Sequence, residues 1–521
     1  MQHRKINKVD HKVKKGISAI IFSRFFVFFL FVAIQVAIFA FGVYFAFAFK
    51  PLQYVIVAIQ IFLIIFIIND KSDPTMKIVW VVLLLVLPTL GTLTYLYFRL
   101  QPASKKLKKR LKHINEKSKR YLEQDPEVYN ELAYQDGQVA TLSRYIDVNS
   151  LCPIYRNTDV TYLSCGEEMY QPLIEKLEEA KDYIFIEYFI IEQGKVWDSI
   201  LRVLEKKVQQ GVEVRIMYDG FCTFSRVEIG YYKKLIEKGI KAKPYAPVRP
   251  FLTTSQNNRD HRKIIAIDGK VAFTGGINLA DEYFNVKEMF GYWKDNAVML
   301  EGDAAKTLTL LFLQMWNVDE KTIGNFDRYL DVSLPDVYDN GFVTCYGDDP
   351  YNDEQIGEAI YLHLINTSKK YVHIVTPYLV IDNVMVEALK FAAKRGVEVI
   401  LMMPGIPDKW YAYCLARTYY KELIEAGVEI REYTPGFTHA KMFVVDDDKA
   451  VVGTTNLDYR SLFLHFEDGC FMYKSKAITD MEADYQEMIA NSKRVTLIGC
   501  KNRPLYYKVA GKLLRIIAPI M

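Results

Sequence analysis

Residues 261–278 read HRKIIAIDGKVAFTGGIN, and residues 439–456 read HAKMFVVDDDKAVVGTTN. Both stretches carry His first, Lys third, Asp eighth and Asn last. Position 439 lies 178 after 261, and the same separation of 178 relates Lys441 to Lys263, Asp446 to Asp268 and Asn456 to Asn278. Each copy is an apolar run, a turn at Asp268-Gly269 or Asp446-Asp447-Asp448, and a second apolar run. That is the pattern of a β-hairpin. On a strand, His and Lys two apart face the same side, so an imidazole and an ammonium enter one space. The Asn follows the second strand, which a hairpin brings back toward the His.

The flanking sequence repeats as well. Tyr183–Ile191 reads as a buried strand, 194–210 as a helix and 212–218 as the next strand. Later, 371–381 is strand-like, 383–395 helical and 397–403 a strand. The joints match, Gln210-Gly211-Val212-Glu213-Val214 against Arg395-Gly396-Val397-Glu398-Val399. A strand–helix–strand order implies parallel pairing with helices on the sheet faces. Two copies imply two α/β lobes, 150–335 and 336–500.

Phosphodiester chemistry suits this constellation. The reaction needs a nucleophile, positive charge on the non-bridging oxygens and a proton for the leaving alkoxide. Imidazole supplies the first and the last. Lysine and the Asn amide stabilise the phosphoryl oxygens. One block has a single His; two blocks facing each other supply both, and two lysines take the electrostatic role of a metal. A lone HxK pair is uninformative, but two full copies inside a repeat are a site. Asp268 and Asp446 are the weakest members, because an Asp at a hairpin turn commonly serves the turn.

The N-terminal part differs in kind. Phe25–Phe49 is an uncharged run, Leu52–Ile68 a shorter one, and Ile78–Phe98 a third, interrupted by Pro88 and Gly91. The first alone makes roughly 37 Å of helix at about 1.5 Å per residue, enough for a hydrocarbon core of about 30 Å. Three transmembrane helices within 25–98 are expected. A basic segment at 1–24 precedes them and a basic linker at 99–149 follows, dense in Lys and Arg over 105–120. Positive-inside logic places both basic runs in the cytoplasm. Three crossings forbid that, so one run does not cross fully or one basic run lies outside. Beside a span, the 105–120 run suits anionic lipid head groups.

Composition excludes other classes. With 521 residues, 51% hydrophobic and 25% charged, the chain is neither disordered nor collagen-like. Seven scattered cysteines without a CxxC pair exclude a zinc ribbon or a thioredoxin-like site. Net charge is +4, which as a total decides nothing. The tail 501–521 interleaves apolar residues with Lys508, Lys512 and Arg515. It reads as an interfacial amphipathic helix or as a helix packed on its own lobe.

The paired blocks resemble the HKD motif of the phospholipase D superfamily, HxKxxxxDxxxxxxGGxN. The first copy matches fully; the second has Gly453-Thr454 for Gly-Gly. Residues 52–98, with Trp80, Pro88, Gly91 and Tyr95-Leu96-Tyr97-Phe98, are similar to the membrane segment of bacterial cardiolipin synthases. So are Asp281-Glu282-Tyr283, Trp293, Asp295 and Asp458-Tyr459-Arg460-Ser461. The resemblance implies N-terminal transmembrane helices followed by two pseudo-twofold-related α/β lobes with one site between them. It implies a phosphatidyltransferase, free of cofactor and metal, that joins two phosphatidylglycerols into cardiolipin and releases glycerol. His261, Lys263, Asp268, His439, Lys441 and Asp446 would be catalytic, with His261 favoured as nucleophile, and Asn278 and Asn456 would hold phosphate. Asp295 and Glu467, each a few tens of residues after a histidine, are candidates for orienting the histidines; an ordinary interface carboxylate is the alternative. A multi-pass plasma-membrane protein with cytoplasmic lobes and no nucleic-acid partner is expected. A phospholipase D-type hydrolase is the nearest rival. A nuclease fits the membrane runs poorly, and a scaffold with a decayed site fits the intact motifs poorly.

Overall fold

Tyr183–Tyr188 (YIFIEY) is buried at every position, as a strand covered on both faces must be. Among the described residues it is the second of nineteen strands. In chain order the first eight are β1 (Thr158–Leu163), β2 (Tyr183–Tyr188), β3 (Glu213–Asp219), β4 (Lys241–Tyr245), β5 (Lys263–Ile267), β6 (Val271–Gly275), β7 (Tyr292–Lys294) and β8 (Ala297–Gly302). Then come β9 (Phe342–Asp348), β10 (Tyr371–Val375), β11 (Leu379–Val380), β12 (Glu398–Pro404), β13 (Glu429–Tyr433) and β14 (Gly436–Thr438). The last are β15 (Met442–Val445), β16 (Lys449–Gly453), β17 (Leu457–Asp458), β18 (Glu467–Tyr473) and β19 (Ser492–Arg494). This computed structural model describes residues 24–100, 102–247, 257–334, 337 and 341–520. The basic segment 1–24 lies, Arg24 apart, outside the described residues.

The chain divides into two units, Met1–Ser104 with Ala246–Asn257, and Lys105–Tyr245 with Asn258–Met521. In the second unit, one sheet has the order β1-β8-β6-β5-β2-β3-β4 and the other β19-β13-β12-β10-β15-β16-β18-β9. The expected repeat is visible in the pairing. β2 runs parallel to β3 and antiparallel to β5; β10 runs parallel to β12 and antiparallel to β15. The helices Lys195–Gln209 and Asn383–Lys394 make the crossovers. Both hairpins form, β5 with β6 and β15 with β16. The sheets also meet across the lobes: Asp468 on β18 accepts from the Lys263 backbone N–H at 3.2 Å and from the Thr274 hydroxyl.

Two sequence readings change here. The run 371–381 is not one strand. It breaks at Pro377, which has no N–H to give a ladder, and its second half, β11, leaves the main sheet to pair with β17. The stretch 99–149 is not a bare linker. It folds into helices Pro102–Ser118, Pro126–Gln135 and Gly137–Ser150, with Leu111, Ile114, Leu132 and Ile146 buried. Arg110 of the basic run donates to the backbone carbonyls of Asn317 and Glu320 at 3.0 and 2.8 Å, so part of that charge is used inside the fold.

In the first unit the third apolar run does not form one span. It breaks at Leu87-Pro88 into helices Pro74–Val86 and Pro88–Arg99, as a proline inside an apolar run favours. These fold back on each other. The Trp80 ring lies 5.2 Å from Tyr95, and a Cβ on Gly91 would meet the Leu83 carbonyl at 2.6 Å. Arg99 returns to Asp70, 3.4 Å away, at the end of helix Lys50–Asn69. A 13-residue helix is about 20 Å long, short of a bilayer core of about 30 Å. Among the described residues, one helix, Pro51–Asn69, is long and apolar enough to cross a membrane, with mean hydropathy 2.5. The first run forms the helix Arg24–Ala48, whose Phe39 ring lies 6.0 Å from Tyr97.

Candidate active site

His261 and His439 each stand at the mouth of a hairpin, just before β5 and β15. Each approach segment is strung on the opposite lobe. β14, which delivers His439, pairs in parallel with β7, and the His439 N–H donates to the Lys294 carbonyl at 2.7 Å. Asp260, which precedes His261, bridges to Phe466, whose carbonyl accepts the His261 N–H at 2.9 Å. The residues after these contacts are Asp295 and Glu467. This crossed pairing sets the side-chain geometry. Glu467 Oε2 meets His261 Nδ1 at 2.9 Å, and Asp295 Oδ2 meets His439 Nδ1 at 2.7 Å. Each acid therefore pairs with the histidine of the other lobe, not with the one that precedes it in sequence.

The glycine positions differ between copies for a physical reason. A Cβ on Gly276 would lie 2.0 Å from Asp295 Oδ1, so this carboxylate needs the glycine. The equivalent Thr454 spends its hydroxyl on Glu467 Oε2. The second copy's departure from Gly-Gly thus builds a further hydrogen bond onto the acid that holds His261.

Electrostatics follow from burial. His261 and His439 are 6% and 7% exposed, and Asp295 and Glu467 are fully buried. Burial pulls His261 down to about 3 and His439 down to about 4. Burial works against the carboxylates, but the facing imidazoles hold Glu467 and Asp295 below the ordinary carboxylate range. Each imidazole is then neutral, with its Nδ1–H given to a carboxylate and its Nε2 lone pair left for chemistry. Aromatic rings pack both: Phe189 lies 4.8 Å from His261, and Tyr283 and Trp293 lie 5.4 and 5.7 Å from His439.

The lysines are buried beside them. Lys263 Nζ donates to the His261 carbonyl at 2.7 Å. Lys441 Nζ donates to the His439 carbonyl and lies 3.1 Å from His439 Nε2. Burial lowers Lys263 and pulls Lys441 down to about 7, with Lys263 adding to the effect on Lys441. Two neighbouring buried ammoniums make a cradle for an anion. Asn278 Oδ1 accepts from the Ile190 N–H at 3.1 Å, while its Nδ2 and Asn456 Oδ1 are buried without a hydrogen-bond partner.

Asp268 and Asp446 are a correction. They sit at the far ends of the hairpins with φ of 52° and 56°. Each carboxylate accepts three backbone N–H groups, from Lys181, Asp182 and Tyr183, or from Lys369, Lys370 and Tyr371. Seven residues of extended chain, about 3.3 Å each, separate them from the histidines. They pin the starts of β2 and β10 and touch no reacting group.

His465 escaped sequence reasoning. Its ring centroid lies 5.5 Å from that of His261, its Nδ1 lies 3.5 Å from Glu467 Oε1, and neither ring nitrogen has a hydrogen-bond partner. Trp293 occupies the matching place two residues before Asp295, and its Nε1 is also unpartnered. The available signal was the shared ring-x-acid spacing. It was hidden because Glu467 follows Asp295 by 172 positions, as 467 from 295, whereas the motifs recur at 178.

The family described as cardiolipin synthase, PLD-like domain, matches residues 173–316 and 361–489. The phospholipase D-nuclease N-terminal family matches residues 58–99. An uncharacterized protein of Streptococcus mutans is 44% identical over 458 residues, covering 88% of this chain and 99% of that protein. A cardiolipin synthase of Halalkalibacterium halodurans is 32% identical over 463 residues, 88% of this chain and 92% of that one. One of Geobacillus thermodenitrificans is 32% identical over 470 residues, 90% and 93% of the respective chains. In fold alone, the chain is similar to the crystal structure of a phosphatidylserine synthase of Haemophilus influenzae. The TM-score is 0.54 at 15% identity, over 74% of this chain and 98% of that one.

Proposed function

Since the chain belongs to the cardiolipin synthase family, as a phosphatidyltransferase of the phospholipase D superfamily, we propose that it transfers a phosphatidyl group from one phosphatidylglycerol to another through a phosphatidyl-histidine. The observation that carries this reading is the crossed pair, two imidazoles each held at Nδ1 by a buried carboxylate of the opposite lobe. A donor phosphate lies between Lys263, Lys441, Asn278 and Asn456. His261 Nε2 attacks phosphorus, and the bond to the head-group glycerol breaks. The charge of the bound phosphate favours a protonated His439, which takes a proton from solvent onto Nε2 as the donor binds and, steadied by Asp295, gives it to the departing glycerol. Neutral His439 then removes the proton from a terminal hydroxyl of the second phosphatidylglycerol. That oxygen attacks phosphorus, the P–N bond breaks, and His261 is restored.

For the membrane part we infer two crossings, the uncharged run 25–49 and the helix Lys50–Asn69, with the hairpin 74–99 entering and leaving on the side of Asp70. The charge rule supports this reading, because two crossings allow the basic segment 1–24 and the 105–120 run to share the cytoplasmic side. The catalytic lobes are then cytoplasmic.

Reconstitution with labelled phosphatidylglycerol, without added metal or nucleotide, tests the reaction. Cardiolipin and glycerol are expected in equal amounts, with neither formed by His261→Ala or His439→Ala. Phosphatidic acid without cardiolipin would make water the acceptor and the protein a hydrolase. No product from any phospholipid would sink the lipid reading.

A further inference from the structure

The C-terminal helix Leu505–Ile517 has two unlike faces. One packs on the helix Trp410–Glu425: a Cβ on Gly511 would lie 2.8 Å from the Cys414 carbonyl, and the Arg515 guanidinium covers the Tyr419 ring at 4.4 Å. The other face is open. Leu505 (74% exposed), Tyr506, Val509, Leu513 (61%), Ile516 and Ile517 project from it. At about 100° per residue these six fill one arc of roughly 120°. Lys508, Lys512 and Arg515 fall together beside that arc.

Just ahead of the helix, Arg503 donates to the Arg417 carbonyl at 3.0 Å, which ties its N-terminal end to the same helix. Ile498, at 70%, extends the apolar surface on the short preceding helix Leu497–Lys501. Large apolar side chains left in water over several helical turns mark an interaction surface. An apolar arc with cations at its edge and Tyr506 near one end matches the boundary between head groups and acyl chains.

We propose that this face, Ile498, Leu505, Val509, Leu513 and Ile516, docks on an anionic lipid bilayer and gives the catalytic unit an attachment of its own. The proposal rests on the lipid-transfer reading for its purpose: both substrates and the product stay in the bilayer, so a docked site meets them without extracting them. Charge selects the occupant. Lys508 and Lys512 suit anionic lipid phosphates, whereas a second copy of this face would set the same cations against each other.

The test places an environment-sensitive fluorophore on Leu513→Cys in the full-length protein with Cys500→Ser, the other six cysteines being buried. The protein sits in vesicles of phosphatidylglycerol and phosphatidylcholine, with bromine on the acyl chains as quencher. Roughly twofold quenching is expected, and adding Val509→Glu and Ile516→Glu removes it. Both positions face outward, and an unchanged melting temperature shows that the fold persists. A probe unquenched in wild type overturns the proposal, and so does a probe shielded only where cross-linking captures a second copy. Quenching needs no turnover and is expected with His261→Ala as well. A chain that is quenched but makes no cardiolipin would therefore overturn the transfer reading alone.

Discussion

At the scale of single residues, the two kinds of carboxylate in the motif region have different work, and substitution separates them. Glu467→Gln keeps the shape but removes the charge that supports His261 through Nδ1. A fall in kcat of about 100-fold or more is expected, with KM little changed. Gly276→Ala drives a methyl into Asp295 Oδ1, so the loss should resemble that of Asp295→Asn. Asp268→Ala should do the opposite, costing about 2–3 kcal/mol of stability by orphaning three backbone donors, while activity per folded molecule persists. Thermal melting alongside initial rates distinguishes the cases. The buried imidazoles also set an acid limit. Unfolded, each titrates near 6.5; folded, His261 lies at about 3 and His439 at about 4. The unfolded chain thus binds more protons below about pH 6.5, so their contribution is full above that pH and lost as pH falls through the folded values. His261→Gln should lose less melting temperature than wild type between pH 6.5 and 4. Lys441, at about 7 in the free protein, must be charged to hold a phosphate. Inhibition by vanadate should therefore weaken by up to tenfold per pH unit above 7, and Lys441→Arg should abolish that slope.

At the scale of elements, the chain could be read where its signal is local and misled where the answer is a contact. The hairpins, the buried β2 and the strand–helix–strand repeat are periodicities of neighbouring residues, and they form where expected. Pro377 and Pro88 carried local signals too, but apolar runs around them masked the breaks. Nothing in the sequence near Asp295 says that it faces His439, because that pairing depends on β7 lying beside β14. His465 was hidden because its acid, Glu467, falls 172 residues after Asp295 and so out of step with the 178-residue repeat. The hairpin 74–99 gives this scale its prediction. Cysteines at Lys71 and Leu100 should be labelled by an impermeant thiol reagent from one and the same side of sealed vesicles. Labelling from opposite sides would restore a straight third span. Gly91→Leu, pressed against the Leu83 backbone, should lower the yield of folded protein, since no flexible side chain is available to give way.

At the scale of the whole molecule, the crossed carboxylates make the lobes mutually necessary. Each histidine arrives on a segment paired to the other lobe and takes its partner acid from there. The sheets then share Asp468 across the same interface. A lobe expressed alone would expose that interface and present a histidine without its carboxylate, so neither half should be active. The stronger consequence concerns pairs of chains. Two binding-site halves from different molecules could complement if each lobe were self-sufficient and the lobes met only loosely. Here the buried acids Asp295 and Glu467 and the backbone bonds at His261 and His439 are all closed within one chain. Mixing His261→Ala with His439→Ala protein, in equal amounts in the same vesicles, should therefore leave transfer at the level of either mutant alone. Recovery well above that level would mean that lobes exchange between chains, and the site would then belong to a dimer. A linked control, wild type mixed with the double mutant, should give the rate of its wild-type fraction, because each complete chain carries its own pair of imidazoles.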